Sequence, residues 1–81
     1  MCGIVGYVGR QKALPILLRN LNLLTYRGYD SAGVAVTYDN TFYIEKAAGK
    51  VGELEARIGD SSRIEGTVGI GHTRWATHGL P

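Results

Sequence analysis

The strongest constraint on the fold is a run of apolar residues spaced by three and four. From Lys12 to about Tyr26, residues Ala13, Leu14, Leu17, Leu18, Leu21 and Leu24 recur on one side of a 3.6-residue period, which predicts an amphipathic helix. Pro15 sets where that helix starts: proline fits only the first turn, where its missing N–H is not needed, so the helix begins near Lys12 or Ala13. Its end is expected near Arg27-Gly28, with Gly28 available as a left-handed terminator. Two heptads are too few for a coiled coil, so the leucine stripe is read as core.

The segments around this helix read as strands. Ile4, Val5, Tyr7 and Val8, punctuated by Gly3, Gly6 and Gly9, predict a buried strand with close backbone approach at the glycines, and Cys2 would sit at the start of a central strand. Glycines at this spacing do not make a dinucleotide fingerprint. Val34–Tyr38 and Thr41–Lys46 form a second and third run around Asp39-Asn40, two residues tolerant of positive φ, which is the pattern of an antiparallel hairpin broken by Ala48-Gly49-Lys50. Val51, Leu54, Ala56 and Ile58 predict a short second helix with Glu53, Glu55 and Arg57 on its wet side, and Gly59–Ser62 reads as a loop. Thr67–Ile70 then predicts a last strand leading into the polar run from Gly71 to Gly79. The order strand-helix-strand-strand-helix-strand is an α+β arrangement without internal repeat or interdomain linker.

Composition narrows the setting. Eighty-one residues make one small domain or a piece of a larger one. Such a chain buries on the order of 60 to 65% of its surface and leans on a dense core or a partner. With 44% apolar and 20% charged residues the chain is globular, not disordered. Nine basic and seven acidic residues are scattered without runs, so neither nucleic acid nor an anionic membrane is indicated as a partner. No secretory signal or membrane span is visible. The single cysteine excludes a disulfide within the chain and fits a reducing, cytoplasmic compartment.

That cysteine is also the first chemical candidate. Removal of Met1 would leave Cys2 with a free α-amino group beside its own thiol, and these titrate near about 8 and 8.5 in model compounds. A nucleophile and an adjacent base then share one residue. The commoner fate of a lone cysteine is a small buried hydrophobe. Two polar stretches stand where packing is otherwise expected: Thr25–Ser31 at the helix end and His72–Gly79 after the last strand. Arg74 is suited to grip a carboxylate with its planar fork, although a solvated surface charge is the usual role of arginine. His72 and His78 lack a helix or nearby ligands, so no metal site is expected. Trp75 by side-chain type belongs to a core, and Asp30-Ser31 to an Asx-type turn. From chemistry alone the residues give a thiol nucleophile and a loop suited to a carboxylate.

Three segments carry a resemblance beyond this. Cys2-Gly3-Ile4-Val5-Gly6, the stretch Tyr26-Arg27-Gly28-Tyr29-Asp30-Ser31-Ala32-Gly33 and the run from Gly69 to Gly79 (Gly-Ile-Gly-His-Thr-Arg-Trp-Ala-Thr-His-Gly) follow one another as in the class II glutamine amidotransferases. Tyr29-Asp30-Ser31 after Arg27-Gly28 and the full Thr73–Gly79 run make the chain most similar to their glutamine–fructose-6-phosphate aminotransferase branch. Amidophosphoribosyltransferase, asparagine synthetase and glutamate synthase share less of the pattern.

The resemblance implies an N-terminal-nucleophile hydrolase fold, an αββα sandwich of which residues 1–81 would form the N-terminal portion. It implies glutamine hydrolysis: the Cys2 thiolate attacks the side-chain amide, ammonia leaves, and water resolves the thioester. In the family the ammonia passes to fructose 6-phosphate, held by an isomerase domain absent from these residues, in a homo-oligomeric parent that needs no cofactor for this step. Matched residue by residue, Cys2 is the nucleophile with its own amine as base. Arg74 binds the α-carboxylate of glutamine and Thr77 is a neighbouring polar contact. Trp75 and His78 belong to the loop that closes over the substrate, and Arg27 and Gly28 support the catalytic N-terminus. The family's oxyanion-hole Asn-Gly pair and its ligand for the glutamine amino group are expected after Pro81, so the chain alone is expected to be nearly inert. The alternative reading is a noncatalytic module with Cys2 packed and the arginine segment binding a carboxylate or a partner.

Overall fold

A computed structural model describes residues 3–24, 31–38 and 40–74. Its elements, in chain order, are β1 (Gly3–Val8), α1 (Ala13–Leu24), β2 (Ser31–Tyr38), β3 (Thr41–Ala48), α2 (Val51–Ile58), a single 3-10 turn at Ser61–Arg63, and β4 (Val68–Arg74). The four strands make one antiparallel sheet in the order β1-β4-β2-β3. Each helix joins an edge strand to an inner one, α1 from β1 to β2 and α2 from β3 to β4. Both helices lie on the same face of the sheet and touch each other. The fold is therefore two layers, α over β.

The helix spacing read from the leucines holds. Ala13, Leu14, Leu17, Leu18 and Leu21 are buried, and α1 starts at Ala13 with Pro15 in its first turn. They meet Val51, Leu54 and Ile58 of α2 and Ala32, Val34, Val36 and Ala47 of the sheet in one core. Fully burying a side chain such as Leu14, Leu17, Leu21 or Leu54 contributes about 1.5–3 kcal/mol each, which makes this layer interface the main source of stability. The sheet admits α1 closely because β4 turns Gly69 and Gly71 toward it. A Cβ on Gly69 would lie 3.0 Å from the Leu17 Cδ1, and one on Gly71 3.1 Å from the Leu21 Cδ1.

The turn at residue 40 follows its chemistry, since Asn40 takes φ 65, the left-handed region that Asn tolerates. At Asp60 the carboxylate accepts bonds from the Ser62 amide (3.0 Å) and hydroxyl (2.6 Å), caps the 3-10 turn, and thereby holds its own pKa below the ordinary carboxylate value. The sequence reading had a plain loop there.

Several expectations are corrected. β1 is an edge strand of the described sheet, not a central one, and it is buried on one side only: Ile4 and Val8 are 79% and 81% exposed. Leu24 and Ala56 were expected in the core and are exposed. β2 and β3 are longer than the hydropathy run, and Ala48 lies inside the hairpin, not at its break. Most consequentially, β4 continues through His72, Thr73 and Arg74, which were expected in a loop. Pairing with β2 through Arg74, and with β1 as far as Thr73, satisfies backbone groups of this polar segment and keeps it extended.

Candidate functional site

Antiparallel pairing brings three separated segments to one end of the sheet. Gly3 opens β1 and pairs with Thr73 of β4. Thr73 pairs in turn with Ala32, and Arg74 with Ser31, the first residue of β2. Ser31 also faces Ala48, the last residue of β3. The C-terminal end of α1 arrives at the same place, because a Cβ added to Gly3 would stand 2.9 Å from the Leu24 Cδ1 and 3.2 Å from the Thr73 Oγ1. Thus Gly3, Ser31 and Arg74, one from each of the three family-like segments, are gathered with Leu24 of α1 within one corner of the fold.

Strand alternation decides which side chains share a face. Thr73, 3% exposed, points to the helices along with Gly69 and Gly71, whereas His72 and Arg74 lie on the opposite, outer face. Along the outer face His72, Gly33 and Lys46 form one cross-strand row, and Arg74, Ser31 and Ala48 the next. Gly33 has a definite reason to be glycine: a Cβ there would lie 2.6 Å from the His72 Nε2 and 3.0 Å from the Lys46 Cγ, so its absence lets both side chains fold over the sheet.

A cavity of about 400 Å³ occupies this end of the sheet. Among the described residues its polar lining consists of Ser31, Lys46, Arg57, His72 and Arg74, none of them acidic. The described side chains Lys46, Arg57 and Arg74 make this lining attractive to anions. No group of three or more His, Cys, Asp or Glu among the described residues is placed to hold a metal ion.

Of the site residues expected from the sequence, Arg74 lies in this pocket, half-buried at the end of β4. Cys2, Arg27, Gly28, Trp75, Thr77 and His78 lie outside the described residues. Gly3, the residue after Cys2, and Arg74, the residue before Trp75, both lie at this corner. Sequence reasoning missed Ser31, Lys46 and Arg57 as lining residues. The signal for Lys46 was present in the register: once β2 pairs with both neighbours, Lys46 and His72 must flank Gly33 on one face.

No family model matches the chain. Curated relatives match it strongly. All 81 residues align with a glutamine–fructose-6-phosphate aminotransferase (isomerizing) of Clostridium perfringens at 59% identity, with one of Streptococcus agalactiae at 57%, and with one of Staphylococcus aureus at 56%. The chain spans 13% of the length of each of these relatives. In the described part it is an α+β fold with a four-stranded antiparallel sheet and two helices. Along its whole length, the chain is similar in sequence to the N-terminal 13% of the glutamine–fructose-6-phosphate aminotransferases.

Proposed function

We propose that the chain is the N-terminal portion of a class II glutamine amidotransferase domain, and that its chemistry is the hydrolysis of glutamine to glutamate and ammonia. The observation that carries this reading is the convergence of the β1 start, the β2 start and the β4 end on one pocket whose described lining is cationic and includes Arg74. The identity to aminotransferases named for glutamine and fructose 6-phosphate supports it.

In this mechanism Arg74 binds the α-carboxylate of glutamine through paired N–H donors, with Thr77 as a neighbouring contact. Trp75 and His78 close over the bound substrate, and Arg27 and Gly28 support the N-terminus. After removal of Met1, the free amine of Cys2 takes the thiol proton as the sulfur attacks the side-chain amide carbon. The tetrahedral adduct collapses with that proton transferred to the leaving nitrogen, so ammonia departs and a glutamyl thioester remains. Water then adds to the thioester, glutamate leaves, and the thiol is restored. In a full-length protein the ammonia goes to fructose 6-phosphate on an isomerase domain, giving glucosamine 6-phosphate in a cytoplasmic homo-oligomer.

The apolar outer face of the sheet supports the fold half of the proposal. Ile4, Val8, Phe42, Ile44, Val68 and Ile70 are exposed on it, as expected of a sheet that is one inner layer of an αββα sandwich. The 81 residues contain no Asn-Gly pair to supply an oxyanion hole, and loss of one such donor costs about 100- to 1,000-fold in other hydrolases. Glutamine hydrolysis is therefore expected only from a version extended along the length of the relatives. In that version Cys2→Ala is expected to remove glutamate release to background, read by a coupled assay. Turnover surviving Cys2→Ala contradicts the proposal.

A further inference from the structure

We propose that Leu24 and Thr73 are positioning residues for the Cys2 nucleophile: from the helix side of the sheet they fix Gly3, the residue bonded to it. This role presupposes the glutaminase reading above, which leaves both residues unused.

The leucine stripe of α1 shows where the role comes from. Leu17 stands over Gly69 and Leu21 over Gly71, with Cδ1 atoms 3.0 and 3.1 Å from where a Cβ would be. Helix residues spaced by four and three follow one face, and strand residues spaced by two share one, so Leu24 would come next to residue 73. That residue is a threonine, 3% exposed, where the line of glycines would otherwise continue. Leu24 rests instead on Gly3, the cross-strand partner of Thr73, its Cδ1 2.9 Å from the position a Cβ would take. The Thr73 Oγ1 closes on the same spot at 3.2 Å.

This contact adds little to the core. Leu24 is 40% exposed, whereas Leu14, Leu17 and Leu21 are at most 1% exposed. It matters for β1, which among the described strands pairs only with β4. Val5 and Tyr7 tie their part of β1 to the helices through their own side chains. Gly3 has none, and the start of an edge strand frays unless something holds it. Leu24 and Thr73 supply that hold. Residue 2 follows at one peptide bond, with its Cα about 3.8 Å from that of Gly3. Attack needs the sulfur within about 3–3.5 Å of the amide carbon, and a misplacement of about 1 Å costs on the order of 100-fold. The glutamine carboxylate is assigned to Arg74, on the other face of β4, so loosening Gly3 displaces the nucleophile without releasing the substrate.

Glutamate release and far-UV circular dichroism in the extended protein provide the test. Leu24→Ala is expected to lower kcat about tenfold to 100-fold with KM for glutamine within about threefold and the folded signal retained. Leu24→Met refills the space over Gly3 and is expected to restore kcat to within about threefold of the unsubstituted protein. Thr73→Ala is expected to lower kcat in the same way, and the double substitution to cost less than the product of the two, since both act on one residue. Leu23→Ala, the neighbouring position at 69% exposure, is expected to change neither constant. Labelling of Cys2 by an electrophilic glutamine analogue should slow with kcat in Leu24→Ala, while labelling by iodoacetamide, which needs no bound pose, stays within about threefold. Unchanged kcat in both alanine variants, a rise in KM alone, no rescue by methionine, or equal slowing of the two reagents would overturn the proposal. Turnover absent from the unsubstituted protein, or surviving Cys2→Ala, overturns the glutaminase reading and this role with it; Cys2-dependent turnover indifferent to Leu24 and Thr73 overturns this role alone.

Discussion

Gly66→Ala is expected to destabilise the chain by about 3 kcal/mol or more and to lower its melting temperature by roughly 12 °C or more. The reason is steric. Gly66 is buried ahead of β4, and a Cβ there would run into the Thr37 carbonyl and the Val36 Cγ1, one of them backbone in the middle of the sheet. Its φ lies outside the left-handed region, so conformational freedom is not the issue. The same residue also holds two elements together. Its carbonyl accepts the Ala13 amide at 2.8 Å, satisfying a donor at the start of α1, and the next residue's carbonyl accepts the Gly9 amide at 3.3 Å. Lys12 reinforces the junction through the Ser62 carbonyl at 2.6 Å and Glu65 at 3.4 Å. A domain of this size has a total stability of roughly 4–12 kcal/mol, so displacing that junction takes a large share of it. Gly52→Ala provides the contrast within the same protein. Gly52 lies in α2 with open space around it, and alanine there is expected to stabilise by up to about 1 kcal/mol. Equal and small effects of the two substitutions would contradict the packing described for the Gly66 junction.

Arg74→Lys carries the second large effect, on catalysis in the extended protein. Lysine preserves the charge and loses the two-pronged donor geometry. Each charge-assisted hydrogen bond contributes about 1.5–3 kcal/mol, so loss of one arm of the fork is expected to raise KM for glutamine by about 10- to 150-fold. The carboxylate is distant from the bond being broken and is held alike in the ground and transition states, so kcat should change far less than KM. The melting temperature should stay near that of the unsubstituted protein, because Arg74 ends β4 and is only half-buried. A fall in kcat at unchanged KM would remove Arg74 from its assigned contact and place its influence on the reacting groups.

How much of this was legible in the sequence differs between elements for physical reasons. α1 was legible because its leucines keep one period over three turns and Pro15 confines the start to Lys12 or Ala13. The hairpin was legible from Asp39-Asn40 and the apolar runs on either side. The one-sided burial of β1 was not, since Ile4 and Val8 are as apolar as Val5 and Tyr7, and composition cannot say which face a missing layer would cover. The extension of β4 through His72–Arg74 was hidden by its polarity, because what keeps it extended is pairing with β1 and β2, segments far away in the chain. Arg74 itself was singled out by its chemistry and by family resemblance. Its neighbours Ser31, Lys46 and Arg57 required the register, which no local pattern encodes.

The central claim is that Cys2 acts as an N-terminal nucleophile with its own amine as base. Intact mass spectrometry after exposure to an electrophilic glutamine analogue tests it most directly, on the extended protein prepared both with and without Met1. Adduct is predicted on Cys2 only in molecules that have lost Met1; equal labelling of molecules that retain Met1 would contradict the mechanism.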